Sequence, residues 1–362
     1  MVSNAANSKP DLTIIGGGIV GLWSARIAAR QGLSVHLVEK RTLGAGASGG
    51  MLGALMPHHP GGWSAKKQFQ LDGLLALPGL VTELEDETSI DCGYGRVGRI
   101  QPIGHAQKRQ QSAVWVDGAQ DNWPAEVHWT ITDDHPAPGW ADEIAQHGWN
   151  CDSLSARINP RALIAALSKS VRADPAITAT EGQAVDALPE TAPTIIAAGL
   201  GSFALINPQA PETVGKGVKG QGALLRPNQT IETDQPIIYD NGTYVIAHAD
   251  GTVAVGSTSE NSYADPTSTD EKLDAIIEDA RRICPHLRHA DVIERWADVR
   301  PKAGKPDPML GPLPGQDNII VATGGFKISF AIAHLMGQAA VNMATGQPAP
   351  VPEAFLPATR LT

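Results

Sequence analysis

Several residues have types and spacings that can do chemistry. The pattern G-x-G-x-x-G occurs at Gly16/Gly18/Gly21, at Gly44/Gly46/Gly49 and at Gly215/Gly217/Gly220. Only the first follows an apolar run, Leu12 to Ile15, and opens a helical pattern through Ile19 and Leu22. There Gly16 permits a tight turn, Gly18 lets the backbone approach a pyrophosphate, and Gly21 allows close helix–strand packing. The helix start, with Ile19 and Val20, offers free N–H groups and partial positive charge to phosphates. Glu39 lies 18 residues after Gly21, with Lys40 beside it, where an acid can accept hydrogen bonds from an adenosine ribose. The motif serves NAD and FAD alike. The other two matches read as plain glycine-rich loops.

Arg300, in ADVRP, carries a planar fork that can hold a carboxylate by two hydrogen bonds; a structural salt bridge is the alternative. Lys327 follows Thr323-Gly324-Gly325 at an expected helix start, where a cation is disfavoured unless an anion sits opposite. The alternative is a solvated first-turn lysine. Tyr244 and His248 lie on an expected hairpin and are candidates to touch a substrate. His58-His59 has no third ligand in sequence that would suggest a metal, and it reads first as a packing feature.

The elements that must position these groups are partly visible. Residues 11–40 read as strand, tight turn, helix, strand. Residues 41–62 are glycine-rich loop, 66–90 helical, and 91–150 Trp-, Gly- and Pro-rich with short strand-like pieces. A helix is expected at 160–173 after Pro160 and a buried strand at 194–198. Segment 216–260 reads as a β-meander, 269–284 as an amphipathic helix, and 318–322 as a strand running through Thr323-Gly324-Gly325 into a long helix. This order predicts an α/β fold: a discontinuous Rossmann-like domain interrupted by an α+β domain on an antiparallel sheet. The expected division is 1–90, 150–214 and 296–362 for nucleotide binding, with 91–149 and 215–295 for substrate.

The chain has 362 residues, net charge −10 and three cysteines, Cys92, Cys151 and Cys284, none in a C-x-x-C pair. No basic stripe is present, which speaks against nucleic acid as a partner. The sparse, odd cysteine set fits a reducing compartment. MVSNAANSKPDL lacks the basic and apolar regions of a signal peptide. No apolar run reaches membrane-spanning length. A cytoplasmic location is the expectation; the oligomeric state is not legible.

Beyond single motifs, long segments resemble the D-amino-acid oxidase superfamily of FAD-dependent oxidoreductases, especially its glycine oxidase and sarcosine oxidase branches. TIIGGGIVGLWSARIAARQGLSVHLVEK is similar to that family's N-terminal fingerprint, and GAGASGGMLGALMP to its flavin loop. INPRALIAAL, TIIAAGLGS, GVKGQGALL, YVIAHADGTVAVGSTSE and the stretch from WADVRP to MGQAAV resemble later segments. The resemblance implies non-covalent FAD, since residues 302–320 hold no cysteine. It implies Ser48, Gly49, Gly50, Met51, Ala198, Gly199, Gly324, Gly325, Phe326 and Ile328 at the cofactor, Arg300 at a substrate carboxylate, and Lys327 at the flavin edge that gains negative charge. The implied activity is oxidation of a small amine or amino acid by hydride transfer to flavin, with oxygen or another acceptor taking the electrons. A same-fold dehydrogenase feeding a quinone or carrier, a flavin domain acting on a modified transfer-RNA base, and a non-catalytic FAD-binding protein are the alternatives.

Overall fold

Short apolar runs closed by glycine become the parallel strands of the molecule, and longer alternating runs become its antiparallel sheet. The computed structural model describes residues 9–189, 192–305 and 307–361; residues 1–8, which carry most of the segment bearing on a leader, lie outside them. In chain order the elements are β1 (Leu12–Ile15), α1 (Ile19–Arg30), β2 (Val35–Val38), β3 (Ala54–Leu55), α2 (Ala65–Thr88), β4 (Arg99–Pro102), α3 (Ala106–Asn122), β5 (Trp129–Thr132), β6 (Trp149–Asp152), β7 (Ala156–Arg157), α4 (Pro160–Ala173) and β8 (Ile177–Thr180). They continue with β9 (Thr194–Ile196), α5 (Gly201–Ile206), β10 (Gly215–Arg226), β11 (Ile237–Asp240), β12 (Thr243–Ala247), β13 (Val253–Gly256), α6 (Glu271–Ile283), β14 (Asp291–Ala303), β15 (Met309–Leu313), β16 (Gln316–Thr323) and α7 (Ser329–Ala344).

The first sheet has the order β15-β16-β9-β1-β2-β8. Its strands are parallel except β15, which returns antiparallel to β16. Parallel strands are covered on both faces, which is why they read as unbroken apolar runs; Ile14, Leu37, Ile195 and Ile320 are fully buried. Helices α1, α2, α4 and α7 pack against one another beside this sheet. Helix α4 starts where Asn159 caps the Arg161 and Ala162 N–H groups and Pro160 takes the first turn. Inside α2, Pro78 has no N–H for the Leu74 carbonyl, and Arg96 Nη2 donates to that oxygen at 3.0 Å instead.

The second sheet has the order β14-β10-β13-β12-β11-β4-β6-β5 and is antiparallel except where β11 meets β4. Alternation sorts its faces. Ala223, Leu225, Val245, Val253 and Val255 form one core with Leu273 and Ile277 of α6. Gly222 and Tyr244, one residue out of phase, line a cavity on the other side.

Four sequence expectations change. Segment 216–260 is not a simple meander: β10 pairs with β13 and with β14, closing the last hairpin onto the first strand. Segment 91–150 holds the helix α3, of which only Ser112, Trp115 and Ala119 are buried, too thin an apolar stripe to stand out. The final helix begins at Ser329, after a 3-10 turn over Phe326–Ile328. Strand β6 spans the expected domain limit at 150, and β14 the one at 296, so both limits cut through the antiparallel sheet.

Candidate active site

A cavity of about 1230 Å³ is walled by both sheets. Small-molecule pockets run to roughly 300–1,000 Å³, so this one has room for a dinucleotide and a small substrate. Part of its wall comes from the carboxyl ends of β1 and β2, with Gly16, Gly18, Ile19, Val20, Glu39 and Lys40. Another part comes from β12, β14 and the turn before α7, with Tyr244, Arg300, Gly324, Gly325, Phe326, Lys327 and Ile328.

At the β1–α1 turn, Gly16 has φ 108°, and a Cβ there would lie 2.5 Å from the Ala197 carbonyl oxygen. Gly21 stands behind the wall, where only its bare Cα allows α1 to rest on Gly16. Ser48 Oγ accepts the Ile19 N–H at 3.0 Å and so ties the loop to the start of α1. The Glu39 carboxylate accepts N–H groups of Gly17 at 2.7 Å and Arg41 at 2.8 Å. A carboxylate has about four acceptor positions, so sites remain for ribose hydroxyls. Gly50, Met51, Ala198 and Gly199 line the same wall. Gly49 does not; its carbonyl is held by Arg161 Nε at 2.9 Å. A backbone cradle at a helix start, free of side chains and next to an acceptor acid, fits a bound dinucleotide.

The β14 side carries the charge. Arg300 is half-buried; its Nη1 donates to the Thr258 carbonyl at 3.1 Å, and among the described residues it makes no salt bridge. Its guanidinium lies over Gly220 of β10, where a Cβ would stand 2.0–2.1 Å from it. The third glycine match, read from sequence as a plain loop, therefore lies on a strand and makes room for an arginine. Burial pushes the Arg300 pKa down from its ordinary value. Tyr244 lies near Arg300, and burial pushes its hydroxyl up to about 12, so it stays a donor. Lys327 lines the cavity and is exposed; desolvation there and the Arg300 charge push its ammonium down to about 8. The Phe326 ring, on a residue with φ 50°, has the Lys302 and Lys327 ammonium groups 5.6 and 5.9 Å from its centre.

Strand register builds the remaining wall. Tyr239, Tyr244, Gly256, Gly222 and Trp296 form one row across β11, β12, β13, β10 and β14. Leu52 closes over the glycines of this row; a Cβ on Gly256 would meet its methyls at 2.9 Å. His248 does not reach the cavity wall. It is 3% exposed, and its Nε2 donates to the Met51 carbonyl at 2.9 Å, bracing the loop from behind. The adjacent histidines part company: His58 lines the cavity with Gln70, while His59 stacks on Trp115 at 4.9 Å. Sequence reasoning did not single out Leu52, Gln70 and Trp296 as wall residues, and it gave Gly220 no part in seating Arg300, because these roles arise from strand and loop neighbours distant in the chain.

The model of the family described as DAO, FAD dependent oxidoreductase, matches residues 11–342. The chain belongs to this family. Glycine oxidase of Pseudomonas aeruginosa is 26% identical over 97% of this chain and 99% of its own length. In fold, the chain is similar to glycine oxidase from Geobacillus kaustophilus, with TM-score 0.86, 20% identity and coverage of 97% and 98%. Iminodiacetate oxidase from Chelativorans sp. BNC1 gives TM-score 0.81 at 20% identity, covering 96% of this chain and 98% of that one. Membership in the DAO family makes this an FAD-dependent oxidoreductase, and the geometry of the cradle at Gly16–Ile19, Glu39 and Ser48 fits that cofactor. Among the described residues, no helix of this DAO-family chain is long and apolar enough to cross a membrane, and no group of three or more His, Cys, Asp or Glu is placed to hold a metal ion.

Proposed function

We propose that the protein oxidises a small amino acid or N-substituted amino acid at the C–H bond beside its amine. The observation that carries this reading is Arg300, a recessed cation on the cavity wall with no carboxylate partner among the described residues. A guanidinium held by one carbonyl keeps donors free for a bidentate carboxylate. Tyr244 adds a protonated hydroxyl nearby. Glycine and iminodiacetate, the compounds named in the relatives above, each join a carboxylate to an amine. FAD, when bound, supplies the hydride acceptor. Arg300 and Tyr244 orient the substrate, Lys327 places positive charge at the turn before α7, and Leu52 and Trp296 exclude water. The imine product hydrolyses, and oxygen or another acceptor takes the electrons. In this reading the cofactor is held without a covalent bond, which the absence of Cys92, Cys151 and Cys284 from the cavity wall supports.

The test is an anaerobic panel on the purified holoenzyme, read by bleaching of the flavin absorbance. Glycine, N-methylglycine, proline and the two alanine enantiomers represent the carboxylate amines; methylamine and benzylamine lack the carboxylate. At least one carboxylate amine bleaches the flavin and the bare amines do not. Bleaching by none of the carboxylate amines sinks the reading. Peroxide yield against dye reduction then separates an oxidase from a dehydrogenase.

A further inference from the structure

Of the two histidines that end the glycine-rich loop, His58 lines the active cavity. The state of its ring is set by its neighbours. The Gln70 side-chain oxygen accepts the backbone N–H of His58 at 2.9 Å, and the Gln70 side-chain nitrogen donates to the Met56 carbonyl at 2.9 Å. A backbone N–H can only donate and a carbonyl can only accept, so the Gln70 amide has one possible orientation. Its oxygen also faces His58 Nδ1 at 2.5 Å. That ring nitrogen must therefore carry the proton. In the neutral ring, Nε2 is then left with a bare lone pair.

We propose that His58 Nε2 accepts the proton of the substrate ammonium, so that the amine is neutral when its C–H bond breaks. This rests on the reading that the substrate is an amino acid. In the step, a substrate N–H bond breaks, its electron pair stays on nitrogen, and the proton bonds to Nε2 and later leaves to water. The surroundings favour that direction. Arg300 and Lys327 line the same cavity and disfavour an ammonium beside them. Of the groups facing His58, Gln70 favours a charged ring through its hydrogen bond, whereas Lys66 and Lys67 on α2 and His59 on its own loop act against one. Lys66 pairs with Asp307 at 2.9 Å, and Lys67 donates to the Gly61 carbonyl. Burial, the largest influence, also opposes the charged ring and outweighs Gln70, so the imidazole waits in its neutral, accepting form.

The test uses the holoenzyme and the panel amine that reduces the wild-type flavin fastest, glycine being the first probe, with acetate as a carboxylate that has no amine. In the wild type, anaerobic flavin reduction slows as pH falls through the His58 pKa, below the ordinary histidine value of roughly 6.5. His58→Phe reduces the flavin at least tenfold more slowly at neutral pH, and its rate follows the substrate's own amine ionisation at higher pH. Acetate binding, read from the flavin spectrum, changes less than twofold. Gln70→Glu places a carboxylate on Nδ1–H and moves the acidic limb upward. Wild-type rate and pH profile in His58→Phe, or an unmoved limb in a folded Gln70→Glu, overturns the proposal while leaving the amino-acid reading intact. If no panel amine reduces the wild type, the amino-acid reading fails and this proposal with it.

Discussion

Arg300 and Lys327 show how differently two cations in one cavity are supported. Arg300 has a carbonyl contact and a glycine floor, so its removal leaves a void and, under the proposed function, an unpaired substrate carboxylate. Arg300→Ala is expected to weaken reduction by carboxylate amines by about 2–5 kcal/mol, measured as kcat/KM in stopped flow. Arg300→Lys recovers only part, since a point charge cannot replace the fork. Normal turnover in a folded, FAD-loaded Arg300→Ala removes this arginine from the substrate site. Lys327 has its ammonium held at about 8, so its charge is present below that pH and lost above it. Sulfite binding to the flavin, which adds negative charge, should weaken as pH rises through 8; in Lys327→Met that step disappears and the flavin potential drops. A retained step in the variant would place the titration elsewhere. Glu39, Ser48 and Arg300 were legible because each sits in a linear motif. Gly220 and Trp296 were not, because their meaning arises from which strand lies beside them.

At the level of elements, α7 carries a buried group that ties the fold to pH. His334 is 3% exposed and edge-on to Trp23 at 6.0 Å, and neither ring nitrogen has a partner among the described residues. Burial lowers its pKa to about 4. The unfolded chain takes up a proton at this position near pH 6.5 and the folded chain only near 4, so stability falls as pH drops across that window and levels off below it. The gap corresponds to stability on the order of 3 kcal/mol. His334→Leu should flatten the melting temperature between pH 6.5 and 4; an unchanged slope assigns the loss to other groups. Helices α1 and α4 were readable from an apolar stripe and a Pro-led start. Helix α3 was not: its few buried positions look like chance in a polar segment. The 3-10 turn at Phe326 was equally hidden, because its backbone is bent by contact with β14 through the bridge between Lys302 and Gly325.

For the molecule as a whole, the α/β class and the interrupted order of the chain were visible in the alternation of glycine-closed runs and strand-rich segments. The limits between lobes were not, since β6 and β14 belong to the antiparallel sheet through long-range pairing. FAD that fills a cavity shared by both sheets binds the folded chain and not the unfolded one. Acid should release intact FAD, and the apoprotein should melt lower and regain its melting temperature as FAD is added, by mass action. Flavin left on the denatured chain would contradict non-covalent binding. The topology also bears on how the protein is made. The β1–α1 cradle leaves the ribosome well before β16, the sheet neighbour that β9 waits for, and before the wall from Gly324 to Ala331. Until that segment emerges, a nascent chain offers only half a cofactor site, with an open parallel edge on β9, so capture of FAD and closure of that edge wait for the same downstream residues.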